Sequence, residues 1–330
     1  MRVAVVILNW NTRDYLKRFI PGVLASLGKE DILYVADSGS SDGSIQTVES
    51  LFPQVRIISI GENLGFTGGY NYALSQIDAQ YYLLLNSDIE VTDNWLEILS
   101  LWMETHPECG ICAPKLHALD KVGENWQKTQ RFEYAGAAGG YLDYFGYPYC
   151  RGRILSRVEL DRGQYDTPSR VFWVSGAALM IRSSVWHNLG GFDERFFAHM
   201  EEIDLCWRAQ SLGYQIWCVP QSLVYHIGGG TLPANSPFKL RLNFRNSLWM
   251  LKKNLPFAIG SVRARIRIFC RCMMDWGVAL AYLIKGKKEY AESVAIAHKE
   301  VRKSSRMNFK GKYKIPPDGG LLIIKYLSRR

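Results

Sequence analysis

The sequence predicts an α/β protein, a mixed but mostly parallel sheet flanked by helices, followed by a basic helical appendage. Three observations carry that expectation. Short β-branched runs alternate with stretches of helical spacing over the first hundred residues, polar residues follow each apolar run, and the charge balance changes sign toward the C-terminus.

The apolar runs are Val3–Leu8, Ile32–Ala36, Val55–Ile60 and Tyr81–Leu85, separated by Tyr15–Leu27 and Ser44–Leu51, which have helical spacing. Strands alternating with helices read as βαβ units on a parallel sheet. From about 105 to 170 the pattern loosens into Gly, Tyr and Pro, and loops and short strands forming an acceptor wall are expected there. Val171–Arg182 reads as a strand pair interrupted at Ser175-Gly176, Gly190–Gly213 carries an acidic cluster at a helix start, and Ile216–Val219 and Leu223–His226 read as closing strands. Residues 238–253 read as helical, Pro256 and Gly260 as punctuation, and 261–306 as one or two basic amphipathic helices. The expected division is a domain over 1–235 and a helical region over 236–330.

Composition narrows the function classes. Of 330 residues 48% are hydrophobic and 22% charged, which excludes global disorder. Residues 1–251 hold 21 Lys and Arg against 26 Asp and Glu, whereas 252–330 hold 19 against 5, so the basic character sits in the tail. The seven cysteines form a single Cys-x-x-Cys spacing, Cys109 and Cys112, which reads as buried structure rather than a zinc site. Reduced thiols, and a first apolar run too short for a secretory signal, point to a cytoplasmic protein. The longest apolar stretch of the tail, Trp276 to Ile284, is far below the roughly 20 residues that span a bilayer.

Ligands of parallel sheets bind beyond the carboxyl ends of the strands, so the segments after each apolar run are the candidate site. Asn86-Ser87-Asp88 follows Tyr82–Leu85 directly, and one carboxylate there suits Mg2+ or Mn2+, which complete their shells with substrate phosphate oxygens; a turn or helix cap is the structural alternative. Asp37 opens the loop Asp37–Ser44 and is placed to accept hydrogen bonds from a base or ribose, while Asp42 fits a helix cap. Asn63–Asn71 carries three glycines before a helix, a backbone that can approach a diphosphate, and it lacks the pattern of a triphosphate-hydrolysing loop. Glu201, Glu202 and Asp204 crowd one helix start; neighbouring acids raise one another's pKa, which suits a general base. His226 ends an apolar run before Gly228-Gly229-Gly230-Thr231, where an imidazole can complete a metal site or touch phosphate.

Taken in order, Val5–Asn11, Asp37–Gly43, Asn63–Phe66, Asn86–Asp88, Ser175–Ala177, Glu201–Leu205 and Tyr225-His226 resemble glycosyltransferase family 2, the inverting enzymes of GT-A fold, and within it the bacterial rhamnosyltransferase-like group. The resemblance implies that Asn11 and Asp37 contact the nucleotide base, that Asn63, Gly68 and Asn71 line the ribose and diphosphate, and that Asn86 and Ser87 lie beside the donor. Asp88 matches the last acid of the family's Asp-x-Asp metal motif, whose first position is Asn86 here. Glu202 stands where the family has its catalytic Asp, with Glu201 as the other candidate, and His226 matches a histidine that helps hold metal or diphosphate. Trp173, His199 and Asp204 fall on the acceptor side.

The implied activity is single displacement from a nucleoside-diphosphate sugar to a saccharide or lipid-linked saccharide acceptor of cell-surface polysaccharide synthesis. The basic tail, with Arg263, Arg265, Arg267 and Arg271 beside Ile266, Ile268 and Phe269, reads as lying on an anionic membrane surface at the inner face of the cytoplasmic membrane. A solvated appendage with a dimer face is the alternative, and no nucleic-acid recognition motif is present. Two rival functions are a sugar-nucleotide-binding assembly protein without catalysis and a sugar nucleotidyltransferase; the second needs a basic Gly-rich loop that the segment after Leu8 lacks.

Overall fold

The structure, a computed structural model, describes residues 2–123, 125–228, 236–303, 309–322 and 324. The chain opens with β1 (Val3–Asn9), α1 (Arg13–Ala25), β2 (Ile32–Asp37), α2 (Ser44–Leu51), β3 (Arg56–Ser59), α3 (Gly65–Leu74) and β4 (Tyr81–Leu85). These are the expected βαβ units. There follow β5 (Ile89–Val91), α4 (Trp95–Thr105), β6 (Cys109–Val122), β7 (Asn125–Phe132) and the short strands β8 (Gly140–Leu142), β9 (Pro148–Cys150), β10 (Arg153–Ile154), β11 (Arg157–Val158) and β12 (Ser169–Arg170). The chain then returns through β13 (Ala178–Arg182), α5 (Ser183–Leu189), α6 (Glu201–Ser211) and β14 (Gln215–His226) to three long helices, α7 (Pro237–Ile259), α8 (Ser261–Ile284) and α9 (Lys288–Lys303).

The main sheet runs β12-β14-β6-β13-β4-β1-β2-β3, with β5 added to β14 and β7 to β6. Strands β3, β2, β1 and β4 are mutually parallel, β13 is antiparallel between β4 and β6, and β14 is parallel to β6. Both faces are covered. Val3, Val5 and Ile7 of β1 face one core with Leu16 and Ile20 of α1 and Trp95 and Leu99 of α4; Ala4 and Val6 face the other with Tyr70 of α3 and Trp207 of α6. Burial on both sides is why the strands read as unbroken apolar runs.

The segment expected as loops and short strands is, in its first part, the 14-residue strand β6. Its first nine residues are all buried, so no alternation marked them as a strand. Pro220 of β14 lies in an irregularity of the β6 pairing, between Val219 and Leu223, where a missing N–H is tolerated. The second correction concerns Pro256, which does not end the helix: it sits in the last turn of α7, and the chain breaks at Gly260, with φ of 87°. The expected boundary near 235 lies outside the described residues.

Helix α7 is fastened to the sheet domain by charge. Asp204 of α6, expected on the acceptor side, is fully buried in that joint: Arg208 Nε and Lys253 Nζ donate to its Oδ2 at 2.7 and 2.9 Å, and Asn254 Nδ2 donates to its Oδ1 at 2.8 Å. These partners hold its carboxyl below the usual range against the cost of burial. Lys253 also reaches Asp193 at 2.9 Å. Removing the carboxylate leaves two cations buried without their shared partner, so Asp204→Ala is expected to destabilise the fold by about 3–5 kcal/mol, read as a lowered urea midpoint; an unchanged midpoint would mean that the joint carries no load.

Candidate functional site

The parallel strands put the ends of β1, β2 and β4 on one rim, and antiparallel β13 brings its start there too: Asn86 N donates to Ala177 O at 2.8 Å. The strand β14 reaches the same rim through β5, because His226 pairs with Ile89, the residue after Asp88. Here the chain leaves a cavity of about 280 Å3. Asn86, Ser87 and Asp88 line it from β4, Ser175–Ala177 from β13, Glu201 and Glu202 from α6, and His226 from β14.

His226 is buried between two carboxylates. Its Nε2 lies 3.1 Å from Asp88 Oδ1 and its Nδ1 lies 3.5 Å from Glu133 Oε1. Burial disfavours the imidazolium, but Asp88 and then Glu133 outweigh it and push its pKa up to about 10. Glu133 is itself oriented by the Ala135 N–H, which donates to its Oε2 at 2.7 Å. Among the described residues no three His, Cys, Asp or Glu side chains gather as a ready metal cage. An acid and an imidazole in contact, the imidazole fixed from behind by a second acid, nonetheless fit a Mg2+ or Mn2+ site that a diphosphate completes, in which the ion would take the place of the imidazolium's proton on Nε2.

Glu201 and Glu202 occupy the first turn of α6, and the Oε2 atom of each is buried without a hydrogen-bond partner among the described residues. Burial, with the neighbouring Glu202 charge, holds the Glu201 carboxyl well above its usual range; burial pushes Glu202 up to about 7. The helix start favours the ionised forms by only about 0.3–1 kcal/mol, less than the roughly 1.4 kcal/mol of a single pKa unit, so burial decides. The loop before them is strained: Phe197, His199 and Met200 have φ of 65°, 70° and 72°. Asn246 of α7 holds it, its Nδ2 lying 2.9, 2.8 and 2.7 Å from the carbonyl oxygens of Phe196, Ala198 and His199. Gly65 is required beneath, since a Cβ there would overlap the Phe197 ring.

The cavity thus collects Asn63, Asn86, Ser87, Asp88, His199, Glu201, Glu202 and His226 of the expected residues. The others lie behind its wall. Asp37 is saturated by its own loop, accepting from Asn9 Nδ2 at 2.7 Å, Ser40 Oγ at 2.6 Å and the Gly39 and Ser40 N–H groups. Asn11 accepts from Ser41 N at 2.8 Å; the neighbours Trp10, Thr12 and Ser38 line the cavity instead. Asn71 ties α3 to Phe192, exchanging hydrogen bonds with its N–H and carbonyl at 2.9 Å each, and Gly68 packs on Leu64. Trp173 donates to Tyr141 O at 3.0 Å and covers Gly140, where a Cβ would overlap its indole.

Two charged lining residues escaped the sequence reading, Glu133 and Lys239. Glu133 follows β7, within the 105–170 region that shows no period, and Lys239 belongs to the first turn of α7, beyond the expected boundary. Lys239 is the one Lys or Arg among the described lining residues, and its charge, after burial, helps lower the His199 pKa to about 4. The signal that could have found it is Ser236-Pro237, a helix start whose Ser236 Oγ accepts from Lys239 N at 3.1 Å.

Comparison with known proteins bears on the family and the fold. A family model described as Glycosyl transferase family 2 matches residues 4–188. The N-acetylglucosaminyl-diphospho-decaprenol L-rhamnosyltransferase of Mycobacterium tuberculosis is 27% identical over 241 residues, 68% of this chain and 75% of that protein. Among solved structures, GalNAc-T7 with UDP, GalNAc and Mn2+ is similar with a TM-score of 0.60 at 16% identity, over 76% of this chain and 48% of that one, so this chain spans about half of it. A mannosyltransferase from Pyrobaculum calidifontis, with GDP-Man and Mn2+, is similar with a TM-score of 0.54 at 12% identity, over 92% of this chain and 87% of that one. The structural likenesses establish the fold, which is GT-A; the family model, matching more than half of the sequence, shows that the chain belongs to glycosyl transferase family 2.

Proposed function

We propose that the chain transfers a sugar from a nucleoside-diphosphate donor to a hydroxyl of a saccharide or lipid-linked saccharide, by one displacement that inverts the anomeric carbon. One observation supports this above the rest: the Asp88–His226 pair and the Glu201–Glu202 pair line the same cavity. Asp88 and His226 would hold Mg2+ or Mn2+. When bound, the ion supplies neutralising charge for the departing diphosphate. Lys239 adds a fixed cation to the same cavity. The nucleoside end lies toward Trp10, Thr12 and Ser38, whose loops Asn11 and Asp37 keep in shape.

Glu202 takes the acceptor proton as the hydroxyl oxygen forms its bond to the anomeric carbon and the bond to the diphosphate breaks. A carboxylate held near 7 is matched to that task at neutral pH, being both ionised in part and basic enough to accept a proton. Burial and the Glu202 charge raise the Glu201 carboxyl well above its usual range, so the two titrate as a pair. The acceptor enters past His199, on the strained loop. A lipid-linked acceptor fits the relative from Mycobacterium tuberculosis, whose name specifies a diphospho-decaprenol substrate. With such an acceptor the chain would work at the inner face of the membrane.

Glu202→Gln is expected to keep donor binding, read as protection against thermal unfolding, and to lower kcat by roughly 100-fold or more; wild-type turnover would remove Glu202 as the base. The active form is the carboxylate and its pKa is raised, so wild-type turnover should fall as pH drops through about 7. That limb should vanish in the Gln variant, and a flat wild-type profile from pH 5 to 8 (about two units to the acid side) speaks against the assignment. Asp88→Ala should abolish the part of donor binding that depends on added Mn2+, measured by calorimetry with and without chelator; an unchanged Mn2+ dependence contradicts the metal role.

A further inference from the structure

Helix α8 is amphipathic in the reverse sense. Its inward face carries charge: Arg271 Nε donates to Asp275 Oδ1 at 2.9 Å, Tyr147 Oη donates to the same atom at 2.9 Å, and His298 Nε2 lies 3.4 Å from Asp275 Oδ2. Its outward face is apolar. Val262, Ile266, Phe269, Met273, Leu280 and Leu283 follow one another at helical spacing and are 52–69% exposed. Trp276 belongs to the same row, Ile284 at its end is 78% exposed, and Met274 and Val278 widen it on one side. The sequence had grouped Ile268 and Arg271 with this surface, but both turn inward.

Single exposed apolar side chains need no explanation, whereas a continuous row of them along a helix of about 36 Å marks a surface that is not meant to face water. Arg263 and Arg265 are exposed at its start and Lys285, Lys287 and Lys288 just beyond its end, while its only acid, Asp275, is buried. A second copy of α8 is a poor partner. Paired in either direction it sets basic ends against basic ends with no exposed acid on the helix to offset them, and the row is wider than a two-helix seam. An anionic bilayer satisfies both features, taking the side chains between its acyl chains and the cations at its phosphates. No helix among the described residues is long and apolar enough to cross a membrane, so α8 would lie flat.

We propose that the outward face of α8 is the surface by which the protein docks on an anionic bilayer. This deepens the reading of a lipid-linked acceptor and rests on it for its purpose: α8 packs on α7, whose first turn brings Lys239 to the cavity, so docking α8 holds the cavity at a fixed attitude to the lipid. The full chain is tested by cosedimentation with vesicles of phosphatidylcholine alone or mixed with phosphatidylglycerol, beside a Phe269→Ser/Leu280→Ser variant. The wild type should prefer the anionic vesicles by roughly tenfold or more, and the variant should lose roughly tenfold or more of that binding with an unchanged melting temperature and unchanged donor binding. Equal binding of the variant overturns the proposal. So does a wild-type dimer, seen by sedimentation velocity, that the variant dissociates while vesicle binding stays the same. Glu202→Gln should bind vesicles as the wild type does, so a failed transfer assay leaves the docking result standing and a failed docking assay leaves transfer to a water-soluble acceptor standing.

Discussion

A single amide carries much of the site. Asn246 of α7 meets the carbonyls of Phe196, Ala198 and His199 in the strained loop that delivers Glu201 and Glu202 to the cavity. Left-handed backbone at three non-glycine residues costs on the order of 1–3 kcal/mol each and persists only where the surroundings fix it. The surroundings here are α7, through Asn246, through Arg245, which donates to Phe196 O at 3.0 Å, and through the Asp204–Lys253–Asn254 joint about two turns further along. Helix α7 is thus part of the framework of the cavity rather than an appendage to it. Lys239 at the start of the same helix makes the point again from the cavity side.

The other half of the site follows from strand order. Because β14 runs beside β6 and also takes up β5, the chain after β4 is turned so that Asp88 and His226 meet, although 138 residues separate them. Glu133 braces the imidazole from the far side, so the ring has little freedom when a ligand arrives. A cation and a diphosphate would then meet a preformed pair, and the acids of α6 would meet the acceptor. One cavity with positive charge to gain at one end and a proton to lose at the other is what sugar transfer by displacement asks for.

How much of this the sequence disclosed depends on burial. The strands β1, β2 and β4 were legible because apolar runs ended in polar turns, Asp88 and His226 because polar residues at strand ends have few structural excuses, and Glu202 because three acids crowd one helix start. Strand β6 was hidden by being buried on both faces, which erases the alternation that marks a strand. Asp204 misled because an acid in a crowded acidic segment looks like its neighbours; only coordinates show it turned inward to Lys253 from a helix 49 residues away. Asn11, Asp37 and Asn71 were found in the right loops but shape them rather than line the cavity, a distinction that rests on side-chain direction and not on spacing. Lys239 was missed because a tail defined by its net charge was read as one surface.

The central claim is that the donor's diphosphate and the acceptor's base face each other across this one cavity. A crystal structure of the Glu202→Gln variant with Mn2+ and an intact nucleoside-diphosphate sugar tests it most directly. The account predicts metal density between Asp88, His226 and the diphosphate, with the anomeric carbon turned toward residue 202. A donor bound with its sugar away from residue 202, or a metal held by other side chains, would contradict it.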